Sequence, residues 1–222
     1  MKKLILYIFL SFLFLRVAGQ RIEFSGGLNN NRFFSSQKDG GHLRTNFNNT
    51  YSYSLGIGLE DIKLDTLLKF RIILKFDNYR GSIHTINGGL AGESTTNATV
   101  DKYIVGLGVY PLNFNINKKI RISLGGEINY LIAETESGYQ SSWQIGQPDS
   151  YKLTENGSIT KNSRFNFGLL FRIGYDIRLK KDWYIVPQYI FYRGLTEEFK
   201  NIEAPTMSLR HYLQIGIIKQ LR

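Results

Sequence analysis

Three histidines, His42, His84 and His211, and the hydroxyl of Ser208 are the residues whose types could support acid–base or nucleophilic chemistry. Such chemistry needs a base within hydrogen-bond reach of its nucleophile and a third group that orients the base. Ser208 stands three residues before His211, and His42 and His84 fall in polar stretches read as loops. No inward or groove-facing carboxylate accompanies the serine and histidine, so no triad is expected. The chain has no cysteine, which excludes disulfides, thiolate metal sites, cysteine nucleophiles and a lipid-modified anchor. It also lacks metal-ligand spacing, a phosphate loop and a nucleophile elbow, so no metal or cofactor is expected. A larger group is charged: Glu23, Lys69, Arg71, Lys75, Glu127, Arg172, Asp176 and Arg210, each alternating with apolar neighbours. If those residues share the inside of a narrow barrel, they must form ion pairs and hydrogen bonds with one another, because unpaired charge there is costly.

The elements that would position them are strands. Arg164 to Leu179 separates into Phe165, Phe167, Leu169, Phe171, Ile173, Tyr175 and Ile177 on one face, and Asn166, Gly168, Leu170, Arg172, Gly174, Asp176 and Arg178 on the other. A two-residue period of this length defines a strand with two unlike faces. Its apolar face carries no charge, and a membrane strand needs about 9–11 residues. Arg172 directed at lipid near mid-bilayer would cost about 2–4 kcal/mol, so that face must point inward. The same alternation recurs at Ile22 to Asn29, Tyr51 to Glu60, Leu68 to Asp77, Lys102 to Tyr110, Ile120 to Ile132 and Leu209 to Ile218. It puts Glu60, Asp77, Lys102 and Arg121 on the inward face as well. Trp183 to Leu195 is apolar on both faces and contains Pro187, so its orientation stays open.

About eight strands result, joined by connections that alternate long and short, as in membrane barrels with short turns on one side and long loops on the other. The long connections include Arg80 to Asn97 and Ala133 to Ser163, the latter carrying Tyr139 and Trp143. Aromatic residues fall near strand ends, where amphipathic rings settle at a membrane boundary. Phe33, Tyr51, Tyr103, Tyr130, Phe165 and Phe191 lie toward the long loops, and Tyr110, Tyr175 and Trp183 toward the short turns.

Residues 1–19 begin with Lys2 and Lys3, continue in an apolar run from Leu4 to Leu15 and end at Ala18-Gly19, the pattern of a cleaved secretory signal. Arg16 ends the run well short of the ~20 residues a spanning helix needs. Removing Lys2, Lys3 and Arg16 leaves 25 basic and 18 acidic residues, a net charge of +7 against +10 for the whole chain. The fold expected for residues 20–222 is all-β: an eight-stranded antiparallel up-and-down transmembrane β-barrel.

These alternating strands, with Gln214 and Gly216 in the last of them, resemble the small outer-membrane barrels of the OmpA-like and OmpX-like kind, and especially the porin-like or PorT-like family. The resemblance implies an outer-membrane location in a Gram-negative-type bacterium and insertion by the barrel assembly machinery, which reads the last strand. The chain departs from the family's terminal signal at Lys219 and ends on Leu221-Arg222 without an aromatic residue. The resemblance also implies a structural or loop-mediated binding role, including service in an envelope or secretion assembly. Membrane lipid and a protein or surface ligand at the long loops 80–97 and 133–163 are the expected partners; nucleic acid is not. Two alternatives have different signatures. A soluble lipocalin-like barrel would turn its apolar face inward around an apolar ligand, and a lipid-modifying barrel enzyme would depend on His211.

Overall fold

A computed structural model of the chain describes residues 20–35, 43–63, 69–117, 119–155, 162–200 and 205–221. The segment 1–19 expected to be a secretory signal, His42 and part of the stretch before β2 lie outside the described residues. Among the described residues eleven strands occur: β1 (Arg21–Ser35), β2 (Leu43–Asn48), β3 (Thr50–Lys63), β4 (Lys69–Gly89), β5 (Gly92–Ile116), β6 (Ile120–Gln144), β7 (Gln147–Glu155), β8 (Phe165–Tyr175), β9 (Ile177–Lys180), β10 (Trp183–Gly194) and β11 (Thr206–Gln220). Pairing runs β11, β1, β3, β4, β5, β6, β8, β10 and returns to β11, while β2, β7 and β9 attach to β4, β6 and β10. The circuit closes because β1 pairs with β11 from Arg21↔Gln220 to Ser35↔Thr206 and with β3 from Arg21↔Glu60 to Asn31↔Thr50. Every named strand pair is antiparallel.

The described residues form eleven strands where eight are expected, because β2 and β7 occupy stretches expected to be loops and β9 is split from β8. The stretches 80–97 and 133–155 are not loops: β4 and β5 continue through the first, leaving only Leu90-Ala91 between Gly89 and Gly92, and β6 and β7 occupy most of the second. These extensions have no continuous apolar face, so periodicity passes over them, yet their backbones pair fully. The segment read as one strand from Arg164 to Leu179 is broken at Asp176, whose amide donates to the Lys119 carbonyl at 2.7 Å. Opposite the break, β10 pairs β9 up to Ile185 and resumes with β8 at Gln188. Pro187, which has no N–H to give, falls in that gap.

Register shifts adjust the faces elsewhere. Between Val109 and Leu112 the β5–β6 ladder slips, so β5 continues past Pro111, which the sequence suggests as a turn, and ends only at Ile116. A second shift between Leu59 and Ile62 has Asp61 at φ 57°, and turns that carboxylate inward.

The inside is packed. Phe33, Tyr79, Ile83, Val100, Ile104 and Phe199 form one buried cluster, and Ile73, Tyr110, Leu170, Ile190, Tyr192 and Tyr212 another. Val186, Gln188, Ile190 and Tyr192 are buried, which settles the inward face of β10. Two glycines admit the largest rings: Gly81 lies against the Phe33 ring and Gly168 against Tyr192. The exterior is apolar, with Phe24, Leu28, Leu55, Leu124, Phe167, Leu169, Leu213 and Ile215 all exposed.

A Cβ at position 168 would overlap the Tyr192 ring and stand 2.6 Å from the Arg193 carbonyl oxygen. Gly168→Ala is therefore expected to lower unfolding free energy by about 1–3 kcal/mol, the usual cost of overpacking, as read from the urea midpoint.

Candidate functional site

The chemistry of this molecule is concentrated inside the circuit of strands, where alternate residues from all sides converge. At the end bearing the short turns, Arg21 contacts Asp61 and Asp176, each at 3.2 Å, and Arg121 pairs with Asp176 and Glu60. The next layer is a cluster of two carboxylates and two guanidiniums. Glu23 accepts from Arg71 at 3.0 Å and from Arg172 at 3.4 Å, while Glu60 lies 3.1 Å from Arg71 and 2.9 Å from Arg172. Gln188 donates to Glu23 at 2.8 Å and accepts from Arg172, holding the layer to β10.

Further along, Lys75 pairs with Glu127 and lies 3.9 Å from Asp77, which accepts from the Tyr212 hydroxyl at 2.9 Å. Toward the opposite end, Arg210 reaches Asp77 at 3.8 Å and Glu198 at 3.4 Å, and Lys102 donates to Glu198 at 2.9 Å. Aromatic faces cover the cations: Tyr110 over Arg71, Tyr212 over Lys75, Tyr79 and Tyr192 on Arg210, and Phe199 over Lys102, all at 4.3–4.7 Å. Cation–π attraction of this kind strengthens as water is excluded. Acid and base alternate along the interior, so charge is neutralised over short distances and the space between strands is occupied by side chains.

The structure brings together Glu23, Arg71, Lys75, Glu127, Arg172, Asp176 and Arg210, whereas Lys69 sits at the rim, 38% exposed and 3.9 Å from Asp61. Glu60, Asp77, Lys102 and Arg121 belong to the same network; their place on the inward face was legible in the alternation. Arg21 and Asp61 join through the strand-end geometry. Glu198 gave no periodic signal, since it lies between β10 and β11 and folds back over the interior. Its amide donates to the Thr206 carbonyl at 2.7 Å and its own carbonyl accepts from Ser163 at 2.9 Å.

Six of the boundary aromatics, Tyr51, Tyr103, Tyr130, Phe165, Tyr175 and Trp183, are on the outer face. Tyr110 and Phe33 are corrections: both are fully buried, Tyr110 against Arg71 and Phe33 in the cluster beneath Lys102. Tyr110 follows the inward register of Lys102, Ile104, Gly106 and Gly108 on β5, and Phe33 that of Asn29 and Asn31 on β1.

The histidines do not assemble a catalytic group among the described residues. Ser208 is buried on the inner face, while His211, an odd number of residues away, is on the outer face and hydrogen-bonds the Tyr189 hydroxyl through Nδ1 at 2.6 Å. His84 lies in the projecting part of β4 opposite Asn97. Among the described residues no group of three or more His, Asp or Glu side chains could hold a metal ion.

No family model and no curated protein sequence matches the chain. Among solved structures, it is similar to Neisserial surface protein A at 13% identity, over 92% of this chain and 98% of that one, with a TM-score of 0.44. Ail of Yersinia pestis in complex with the heparin analogue sucrose octasulfate is similar at 14% identity over 90% and 99%, with a TM-score of 0.39. The outer membrane protein OprG from Pseudomonas aeruginosa is similar at 12% identity over 92% and 97%, with a TM-score of 0.41.

Glu60→Ala strips a carboxylate from three buried guanidiniums and is expected to cost about 3–5 kcal/mol in unfolding free energy. Arg80→Ala, which removes an exposed partner of Asp101, should cost under about 1 kcal/mol in the same urea titration. Burial raises the pKa of Glu198, but Lys102 and Arg210 outweigh it and hold the carboxyl below its ordinary value. A carboxyl lowered on folding contributes stability at neutral pH that disappears as pH falls through its folded pKa. The stability gap between wild type and Glu198→Gln should therefore be full at neutral pH and narrow as the pH falls below the ordinary carboxyl range and through the lowered pKa of Glu198.

Proposed function

We propose that this chain is an integral outer-membrane β-barrel, with β1, β3, β4, β5, β6, β8, β10 and β11 as an eight-stranded transmembrane ring. Its role is structural or binding, and it performs no catalysis. The observation that carries this reading is the uncharged band on the outer face. On β10, β11 and β1 every outward residue between the Lys219 row and the Arg193 row is uncharged, and the same holds for the outward faces of β8 and of β6 from Ile120 to Ile132. Ten residues separate Trp183, opposite Lys219, from Arg193. At about 3.3 Å per residue and a tilt of about 35–45° they span roughly 25 Å, the height of an outer-membrane apolar band. Trp183 lies under the Lys219 ammonium at 5.4 Å, a boundary arrangement of ring and cation.

The soluble alternative fits poorly. A ligand-binding soluble barrel turns apolar residues inward and polar ones outward, and here the charges are buried and the leucines exposed. The enzymatic alternative has no serine or carboxylate hydrogen-bonded to His211 among the described residues. On the membrane reading, residues 1–19 export the chain, β11 with Gln214 and Gly216 is read by the assembly machinery, and the filled interior conducts no solute. The part that meets a partner is the sheet of β2, β4, β5, β6 and β7 that projects beyond the band on the long-connection side. Residues 80–97 and 133–155 form most of it, and Leu90, Trp143 and Ile145 at its tip are exposed. Such a surface suits a protein or surface ligand, or docking within a secretion assembly.

Membrane fractionation followed by gel mobility with and without boiling tests the reading: the protein should sediment with the outer membrane and change mobility when boiled. Leu213→Arg, at a position 69% exposed near the middle of the band, should lose the unboiled form, since arginine on the lipid face there costs about 2–4 kcal/mol. A soluble wild-type protein that tolerates Leu213→Arg would sink the membrane reading.

A further inference from the structure

Just beyond the uncharged band, two arginines stand in one row on the outer face of β10, β11 and β1. Arg193 is opposite Leu209, and Leu209 is opposite Arg32. The three side chains share the outward face, and both arginines are exposed. With neighbouring strands about 4.8 Å apart, the two backbone positions are separated by roughly 10 Å, within reach of one another's guanidiniums. Arg193 lies over the Phe34 ring at 5.6 Å, which keeps it along the barrel wall. Neither arginine has an ion pair among the described residues, in contrast to Arg80, whose guanidinium is 2.5 Å from Asp101 on β5. In the next row toward the band are Asn30 and His211, themselves paired across β1 and β11.

Beneath this pair the wall is hollowed on the same strands and onto the adjoining β8 and the start of β6. A groove of 730 Å³ is lined by Gly26, Leu28, Pro187, Tyr189, Leu213 and Ile215 among others. Its floor is deepened by a glycine and a proline where neighbouring positions carry long side chains. The row of Tyr189, Leu213 and Leu28 is four residues below the arginine row, roughly 13 Å along the strand. An apolar trough inside the membrane band and, at its edge, two guanidiniums without an ion pair among the described residues match the two halves of one amphiphile. Guanidinium forks bind phosphate oxygens in pairs and retain their charge at any physiological pH.

We propose that the outer face of β10, β11 and β1 is a binding site for a phosphorylated lipid of the outer leaflet, with an acyl chain in the groove and the head-group phosphate held by Arg32 and Arg193. Asn30 and His211 lie at the base of the head-group site. The site rests on the membrane reading above and names the lipid class that this face selects.

The test uses the full mature chain, purified in detergent and incubated with lipid A carrying its phosphates or with the same lipid after their removal. Lipid retained on the folded protein is read by native mass spectrometry. Wild type should retain the phosphorylated lipid roughly tenfold more than the dephosphorylated one, the preference expected when charge-assisted hydrogen bonds are made to one and not the other. Arg32→Gln with Arg193→Gln should erase that preference, while Arg80→Gln, which alters an arginine already paired, should keep it. The heat-dependent mobility shift shows whether each variant is folded; both arginines are exposed, so it should persist. Equal retention of the two lipids by wild type, or an unchanged preference in the double variant, overturns the site and leaves the barrel reading standing. Loss of the mobility shift in wild type itself overturns both.

Discussion

The pairing of β1 with β11 is the constraint from which the other features descend. Once those strands join, the circuit has no free edge, and the residues divide between an inside and an outside. The inside is too narrow to keep water around separate charges, so each cation placed there requires a carboxylate from another strand. Glu23 and Glu60 answer that requirement for Arg71 and Arg172, and Glu198 answers it for Lys102 and Arg210. The network thereby couples β1, β3, β4, β6, β8, β10 and β11 across the interior, in addition to their edge-to-edge pairing.

Aromatic rings complete the filling. Tyr79, Tyr110, Tyr192 and Tyr212 are buried among the charges, where each offers a π face to a cation; the Tyr192 hydroxyl also accepts from Asn129 and the Tyr212 hydroxyl donates to Asp77. Their bulk is accommodated by small residues on facing strands, as at Gly168 under Tyr192. The glycines of the inward face are thus the counterpart of the rings, and the alternation of large and small residues is what lets so many strands close tightly.

On the membrane reading, the two ends of the molecule differ in what holds them. The short-turn end is closed by the Arg21, Arg121, Asp61 and Asp176 contacts, made possible by the break at Asp176 and the left-handed Asp61. At the other end the β4–β5 and β6–β7 hairpins continue as an open sheet whose stability comes from backbone pairing rather than from an apolar core. A surface built this way can change its side chains with little effect on the strands beneath, which suits a role in contact with partners.

By itself the sequence determined the two unlike faces, because alternation is a local property: neighbouring residues of a strand point to opposite sides whatever the strand pairs with. That was enough to place Glu23, Arg71, Lys75, Glu127, Arg172 and Arg210 together on one face, and to read the outward faces of β8 and β11 as uncharged from Phe165 to Tyr175 and from His211 to Ile217. Tertiary structure decided what depends on register and on chain segments without periodicity. The slip after Val109 set Pro111 and Leu112 both outward and Asn113 inward, the break at Asp176 sent its carboxylate to Arg21 and Arg121, and the return of the β10–β11 connection brought Glu198 to Lys102 and Arg210. The projecting strands were invisible for the same reason: a sheet bounded by polar residues on both faces is specified by its backbone partners, and partners are distant in sequence. The row that sets Arg32 beside Arg193 likewise exists only because β1 and β10 both pair with β11.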